Sequence, residues 1–276
     1  MLDLPRSARL AAWGTGVLSA NASLESAVAA VVRDDEPHTV SFAESAPTLP
    51  GLPGAGGTPD DMTTLLAALA ECAHAAPGGG RLLLALPVPG DPRGLPGPAA
   101  VNVTALEVGE CVVAELGGHD TRWALVPEVT EFGSVWEPGA LVTWTVLGAA
   151  PRRAPESSSV AESERELRVA LATATQALAT LDVARWREDA ADRIAAVRDG
   201  GLARDAVPAD TSPRAMRVLQ TAARVLAIVD LATEDDGAAI TSLEATSRAQ
   251  ALREVAGVAR RALVAAVNAH TEPARP

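Results

Sequence analysis

The amino-acid sequence predicts an α+β N-terminal domain, with early helices and a mostly antiparallel sheet, followed by an all-α bundle of three long helices. Three observations carry that expectation. Within residues 1–150, helical spacing of apolar residues comes early and two-residue alternation comes late. Beyond residue 163 the apolar residues keep helical spacing throughout. Between the two lies Pro151–Ser163, PRRAPESSSVAES, with two prolines, four serines and no apolar stripe. The domains are therefore expected at 1–150 and 164–276, joined by a linker over 151–163. A chain of 276 residues is long for one core, which agrees with two.

The first helix is expected over Leu4–Leu18, with Leu10, Trp13 and Val17 on one face. Its Trp13-Gly14-Thr15-Gly16 stretch follows no strand and lacks a dinucleotide fingerprint, so the glycines are read as close helix packing. Ser23 caps a second helix, Leu24–Arg33. Glu36–Ala43 alternates His38, Val40 and Phe42 against Thr39, Ser41 and Ala43 and reads as a strand. Pro47–Pro59 is too rich in proline and glycine for regular structure. Thr58 is the expected N-cap of a third helix, with Pro59 in its first turn and a stripe of Met62, Leu65, Leu66, Leu69 and Cys72.

Leu82–Pro87 is an almost unbroken apolar run between Gly78-Gly79-Gly80 and Gly90-Asp91-Pro92. Such a run predicts a strand buried on both faces, and hence one in the middle of a sheet. Ala100–Leu106 reads as extended, and Cys111–Leu116 more strongly so. Gly117-Gly118-His119-Asp120 then signals a hairpin to Arg122–Val126. Ala140–Leu147, with alternating threonines, is a further strand. The helical half divides at Gly200-Gly201 and Asp235-Asp236-Gly237 into Glu164–Asp199, Arg214–Ala232 and Ala238–His270. The stripe of the first of these shifts phase near Asp182, which predicts a bend. Trp186, the only aromatic residue after position 150, is expected to anchor the helical core.

Composition narrows the function. There is no lysine and no tyrosine, a bias that suits a GC-rich genome. The net charge of −12 is concentrated in residues 1–150, which carry 17 acidic residues against 6 arginines. An acidic surface repels phosphate backbones, so neither nucleic acid nor an anionic membrane is an expected partner. No run approaches the length of a membrane span, and no secretory signal pattern opens the chain. A cytoplasmic location is expected. Cys72 and Cys111 have no motif spacing and are read as buried free thiols.

Few residues combine into chemistry. Glu71-x-x-His74 has the spacing of a carboxylate-bridged metal site but no second copy. Asp34, Asp35, Glu36 and His38 form an acidic knot between a helix and a strand, yet adjacent carboxylates diverge. No metal site and no cofactor is expected. Nucleophile elbow, phosphate loop and zinc motifs are missing. The candidate ligand-binding residues are Asp91 and Arg93 in the Pro87–Pro98 loop, with Glu115 and His119 at the hairpin. The leading expectation is a non-enzymatic interaction or oligomerisation module that forms a homodimer, or binds a protein partner, through its helices. The alternative is a small-molecule binder or enzyme using the edge near Pro87–Pro98. Limited proteolysis should cut first within Pro151–Ser163 or Pro47–Pro59, where small polar residues are exposed. Equally fast cleavage inside Glu164–Asp199 would show that no long helix stands there.

Overall fold

The computed structural model describes residues 1–48, 52, 60–117, 122–134, 137–151, 159–180, 193, 196–233 and 242–269. Thr58, Pro59, His119, Asp120, Trp186, the phase shift at Asp182 and the turn at Asp235-Asp236-Gly237 lie outside them. The chain forms two compact units. One is built on Pro5–Glu156 and Asp205–Asp210, the other on Met1–Leu4, Ser157–Arg204 and Thr211–Ala269.

The first unit is a mixed sheet with helices on both faces. Its elements are α1 (Arg6–Leu18), α2 (Leu24–Val32), β1 (Thr39–Phe42), β2 (Asp60–Asp61), α3 (Met62–Ala75), β3 (Gly80–Ala85), α4 (Ala99–Val108), β4 (Cys111–Leu116), β5 (Arg122–Gly133) and β6 (Pro138–Ala149). The strand order is β2-β1-β6-β5-β4-β3. Each described pairing is antiparallel except β1 with β6, which is parallel from Thr39 against Thr143 to Phe42 against Val146. β4 with β5 and β5 with β6 are consecutive in sequence, whereas α4 stands between the antiparallel neighbours β3 and β4. The parallel pair joins residues about a hundred positions apart, and no turn signal announces it.

Three sequence expectations are corrected here. The apolar run expected in mid-sheet is β3, an edge strand. Leu82 and Leu84 are nonetheless fully buried, because helices cover both faces and the open edge. The residue that covers the edge is Thr15 of α1. Its hydroxyl accepts from Leu82 N at 3.0 Å and donates to Leu82 O at 3.1 Å, replacing the missing neighbour strand. Gly14 makes this approach possible, since a Cβ there would collide with Leu82 Cδ1. The strand with uniformly buried residues in mid-sheet is β4, where Cys111, Val112, Val113 and Ala114 are all at 0 % exposure.

The segment expected as extended, Ala100–Leu106, is the helix α4. Its β-branched Val101, Val103 and Thr104 suggest a strand, but Val101 and Ala105 lie one helical turn apart. Both join a buried cluster with Leu83, Ala85, Val113, Ala124 and Val126 on the sheet. Burial of that stripe outweighs propensities worth only tenths of a kcal/mol each, about 0.7 at most. Gly109, with φ of 81°, ends the helix in the left-handed conformation. The third correction concerns α3. Asp61 rather than Thr58 is the N-cap, accepting from Thr64 N at 2.7 Å, while Asp60 and Asp61 pair with Val40 and Thr39. The stripe Met62, Leu65, Leu66, Leu69 and Cys72 is buried as read.

The second unit is helical, with α5 (Val160–Thr180), α6 (Pro213–Thr233) and α7 (Ser242–Asn268) packed on one another. It also takes in the first residues of the chain: Leu2 N donates to Gly201 O at 3.0 Å and Leu2 bridges Leu202. Conversely, Trp13 Nε1 donates to Asp205 O at 3.0 Å within the first unit. Each unit therefore holds a short segment from a distant part of the chain.

The edge contact yields a paired test. Thr15→Val keeps the shape but leaves the Leu82 N–H and C=O without a partner, and should cost about 1–3 kcal/mol in urea unfolding. Gly14→Ala forces α1 off β3 and should cost a similar amount, about 1–3 kcal/mol, through overpacking. Values near zero for both would mean that α1 does not close this edge.

Candidate functional site

The densest cluster of ionisable groups among the described residues lies where α1, the turn after α2, β1 and β6 meet. α1 supplies Arg6 and Arg9, three residues apart on a helix that is otherwise almost wholly buried. Arg6 grips Asp35 through two parallel bonds, Nε to Oδ2 at 2.8 Å and Nη2 to Oδ1 at 2.6 Å. Arg9 Nη2 stands 3.6 Å from Asp35 Oδ2. His38 Nε2 lies 3.2 Å from the same oxygen, and its Nδ1 accepts from Trp144 Nε1 at 3.1 Å. The result is a continuous chain from the indole of β6 through the imidazole to a carboxylate held by two guanidiniums.

Environment sets the charges. Burial opposes ionisation of Asp35, but the Arg6 and His38 hydrogen bonds and the positive charges beside it prevail, holding its carboxyl below the usual 3.8. For His38, burial pushes the imidazole below its ordinary 6.5, and Arg9 and Arg6 push the same way against the pull of Asp35. At neutral pH the cluster is therefore a neutral histidine beside an ionised aspartate. Beside it opens a cleft of about 480 Å³, whose lining includes Arg6, Asp34, Asp35, Glu131, Phe132 and Ser134.

Of the acidic knot read in the sequence, Asp35 and His38 converge. What balances Asp35 is guanidinium, and two cations beside the carboxylate oppose a metal ion there. Among the described residues, no group of histidine, cysteine or carboxylate side chains is arranged to hold a metal. Glu71 and His74 are both exposed on α3, and Cys72 and Cys111 are buried and not joined in a disulfide.

The four residues singled out as ligand-binding candidates do not meet in this cluster. Asp91 and Arg93 bind each other in the Pro87–Pro98 loop, at 2.6 and 2.7 Å. Glu115 on β4 pairs across the sheet with Arg81, at 2.7 Å, and lies 3.7 Å from Arg122. His119 lies outside the described residues. Sequence reasoning missed Arg6, Arg9 and Trp144 as partners of Asp35 and His38. Two arginines one turn apart on an apolar helix face were the available signal for the first two.

Fold and cluster together define a protein of two parts, an α+β unit with a partly buried ion-pair cluster and a helical unit. Family models match both parts in turn: Rv1486c-like protein, N-terminal domain, over residues 7–158, and Rv1486c-like protein, C-terminal domain, over residues 161–264. The chain belongs to the Rv1486c-like family. It is 32 % identical over 215 residues to the uncharacterized protein Rv1486c of Mycobacterium tuberculosis (strain ATCC 25618 / H37Rv), covering 71 % of this chain and 73 % of the relative. It is 31 % identical over 212 residues to the uncharacterized protein ML1804 of Mycobacterium leprae (strain TN), covering 71 % and 70 %. No solved structure matches it. No helix among the described residues is long and apolar enough to cross a membrane.

Two carboxylates can be compared directly. Asp91→Asn breaks a pair on an exposed loop and should cost less than about 1 kcal/mol. Asp35→Asn removes the carboxylate that Arg6 and the nearly buried Arg9 face and should cost more, about 3 kcal/mol. The Asp35 contribution is fully present above pH 3.8 and is lost as pH falls through the depressed folded value. Equal costs for the two variants in denaturant titrations would show that the cluster is not structural.

Proposed function

We propose that the protein is a non-enzymatic interaction module that forms a homodimer through its helical half. One observation carries the non-enzymatic part. Both ring nitrogens of His38, in the densest described ionisable cluster, are committed to Trp144 and Asp35. A general base needs a free lone pair aimed at substrate, and this imidazole has none to offer.

In this reading residues 1–150 form the α+β domain, 151–163 the linker, and 164–276 a bundle of three long helices acting in the cytoplasm. No cofactor is required. Self-association draws support from α5. Its stripe is buried at Leu167 but only partly covered at Leu171 and Ala174, and Val169 beside it is 61 % exposed. A second copy would cover such a stripe, and two-fold dimers are the commonest closed assembly. The acidic first half argues against nucleic acid as the partner.

Light scattering on the full chain at micromolar concentration tests the reading. A mass near twice 28.2 kDa is expected, falling to 28.2 kDa in Leu171→Glu with unchanged helix content. A wild-type mass of 28.2 kDa across the range would remove the homodimer.

A further inference from the structure

We propose that His38 is a proton switch, whose protonation at acidic pH breaks the hydrogen bond from Trp144 and loosens β1 from β6. The geometry fixes the starting state. Trp144 Nε1 is only a donor, so the Nδ1 it approaches at 3.1 Å must present a lone pair. The proton of the neutral ring is then on Nε2, directed at Asp35 Oδ2 at 3.2 Å. A second proton can be added only at Nδ1, where the indole N–H already points. Two N–H donors would then face each other inside a closed site.

The ring cannot turn aside cheaply. The His38 side chain is fully buried, Trp144 is at 0 % exposure, and their ring centroids are 6.2 Å apart at 47°. The protonated state must therefore displace β6, which carries the indole, or β1, which His38 immediately precedes. β1 is the weaker of the two. It has four residues, parallel to Thr143–Val146 of β6 on one side and paired with only Asp60–Asp61 on the other. A buried indole N–H left without an acceptor adds to the imbalance.

Charged groups reach His38 from several elements. Arg6 and Arg9 on α1 oppose a further positive charge, and Asp35 after α2 favours it. β2 brings Asp60 and Asp61 alongside β1, while α3 carries Glu71 and His74 at exposed positions. β6 contributes the neutral indole. Burial first, with Arg9 and Arg6 adding to it against the pull of Asp35, holds the imidazole below 6.5 in the folded chain, so the unfolded chain takes up the proton first. Stability is fully present above pH 6.5, declines as pH falls from there through the folded value, and levels off below it. Arg6 and Asp35 also line the cleft, so the switch reaches that surface as well. This inference does not rest on the proposed self-association.

Nuclear magnetic resonance of the full chain tests it. Of the four histidines, His38 is assigned by loss of its signals in His38→Gln, and the Trp144 indole by Trp144→Phe. At about pH 7.5 the His38 ring should be neutral with the proton on Nε2. On acidification its midpoint should fall below 6.5. The Trp144 indole signal should shift with the same midpoint. Amide exchange over 36–43, corrected for its intrinsic pH dependence, should rise about fivefold or more through that transition. In His38→Gln the indole signal should be insensitive to pH over the same range. Should that variant not fold, the shared midpoint in the wild-type chain decides alone. A ring protonated on Nδ1 at neutral pH overturns the switch. So does a ring that stays neutral until the chain unfolds in acid, or an indole signal that does not follow His38.

Discussion

The contact on which the first unit depends is that of α1 with the edge of β3. A sheet edge exposes a row of unsatisfied N–H and C=O groups, and β3 is too apolar to leave that row in water. One hydroxyl, that of Thr15, satisfies both groups of Leu82. It can do so only because Gly14 brings the helix backbone against the strand. The same docking fixes the direction of α1, which carries Arg6 and Arg9 toward the far side of the sheet, where Asp35 and His38 wait. The helix thus both covers one edge and supplies the cations beside Asp35 and His38.

This arrangement explains why the ion-pair cluster takes the form it does. A carboxylate as enclosed as Asp35 needs compensating charge, and Arg6 provides it with two matched hydrogen bonds. His38, buried immediately before β1, then has an acceptor on one side and the Trp144 donor on the other. The groups in the chain of bonds come from α1, from the segment between α2 and β1, and from β6. The cluster therefore reports on whether these elements are assembled, which is how a single proton at His38 gains leverage over the parallel pair. In the helical unit, by contrast, apolar stripes and small alanines carry the association, and surface charges such as Glu164 with Arg214 add little.

Much of the architecture was legible in the sequence. Periodicity separated an α+β region from a helical one, Ser23 and the stripe of α3 marked helices, and Gly117 and its neighbours marked a hairpin. The reading failed wherever tertiary contact outweighed local pattern. The valines of α4 suggested a strand because β-branching is a local property, whereas the cluster of Leu83, Val113 and Val126 that claims Val101 and Ala105 is assembled from other strands. The cluster around Asp35 was half legible for the same reason. Asp35 and His38 are neighbours in sequence and were singled out together, but Arg6 and Trp144 come from 29 and 106 residues away.

By itself, then, the sequence determined much of the sequential, short-range content: the helical stripes of α1, α2 and α3, the strands β1, β3, β4, β5 and β6, and the acidity of the first half. Each follows from the spacing and chemistry of residues a few positions apart. Only the tertiary structure decided that the most apolar strand lies at an edge, that β1 joins β6 in parallel, and that Asp35 is neutralised by arginine rather than metal. Burial on both faces of a strand looks the same in sequence whether its cover is another strand or a helix carrying Gly14 and Thr15. That distinction depends on which surfaces meet in space, and no local periodicity records it.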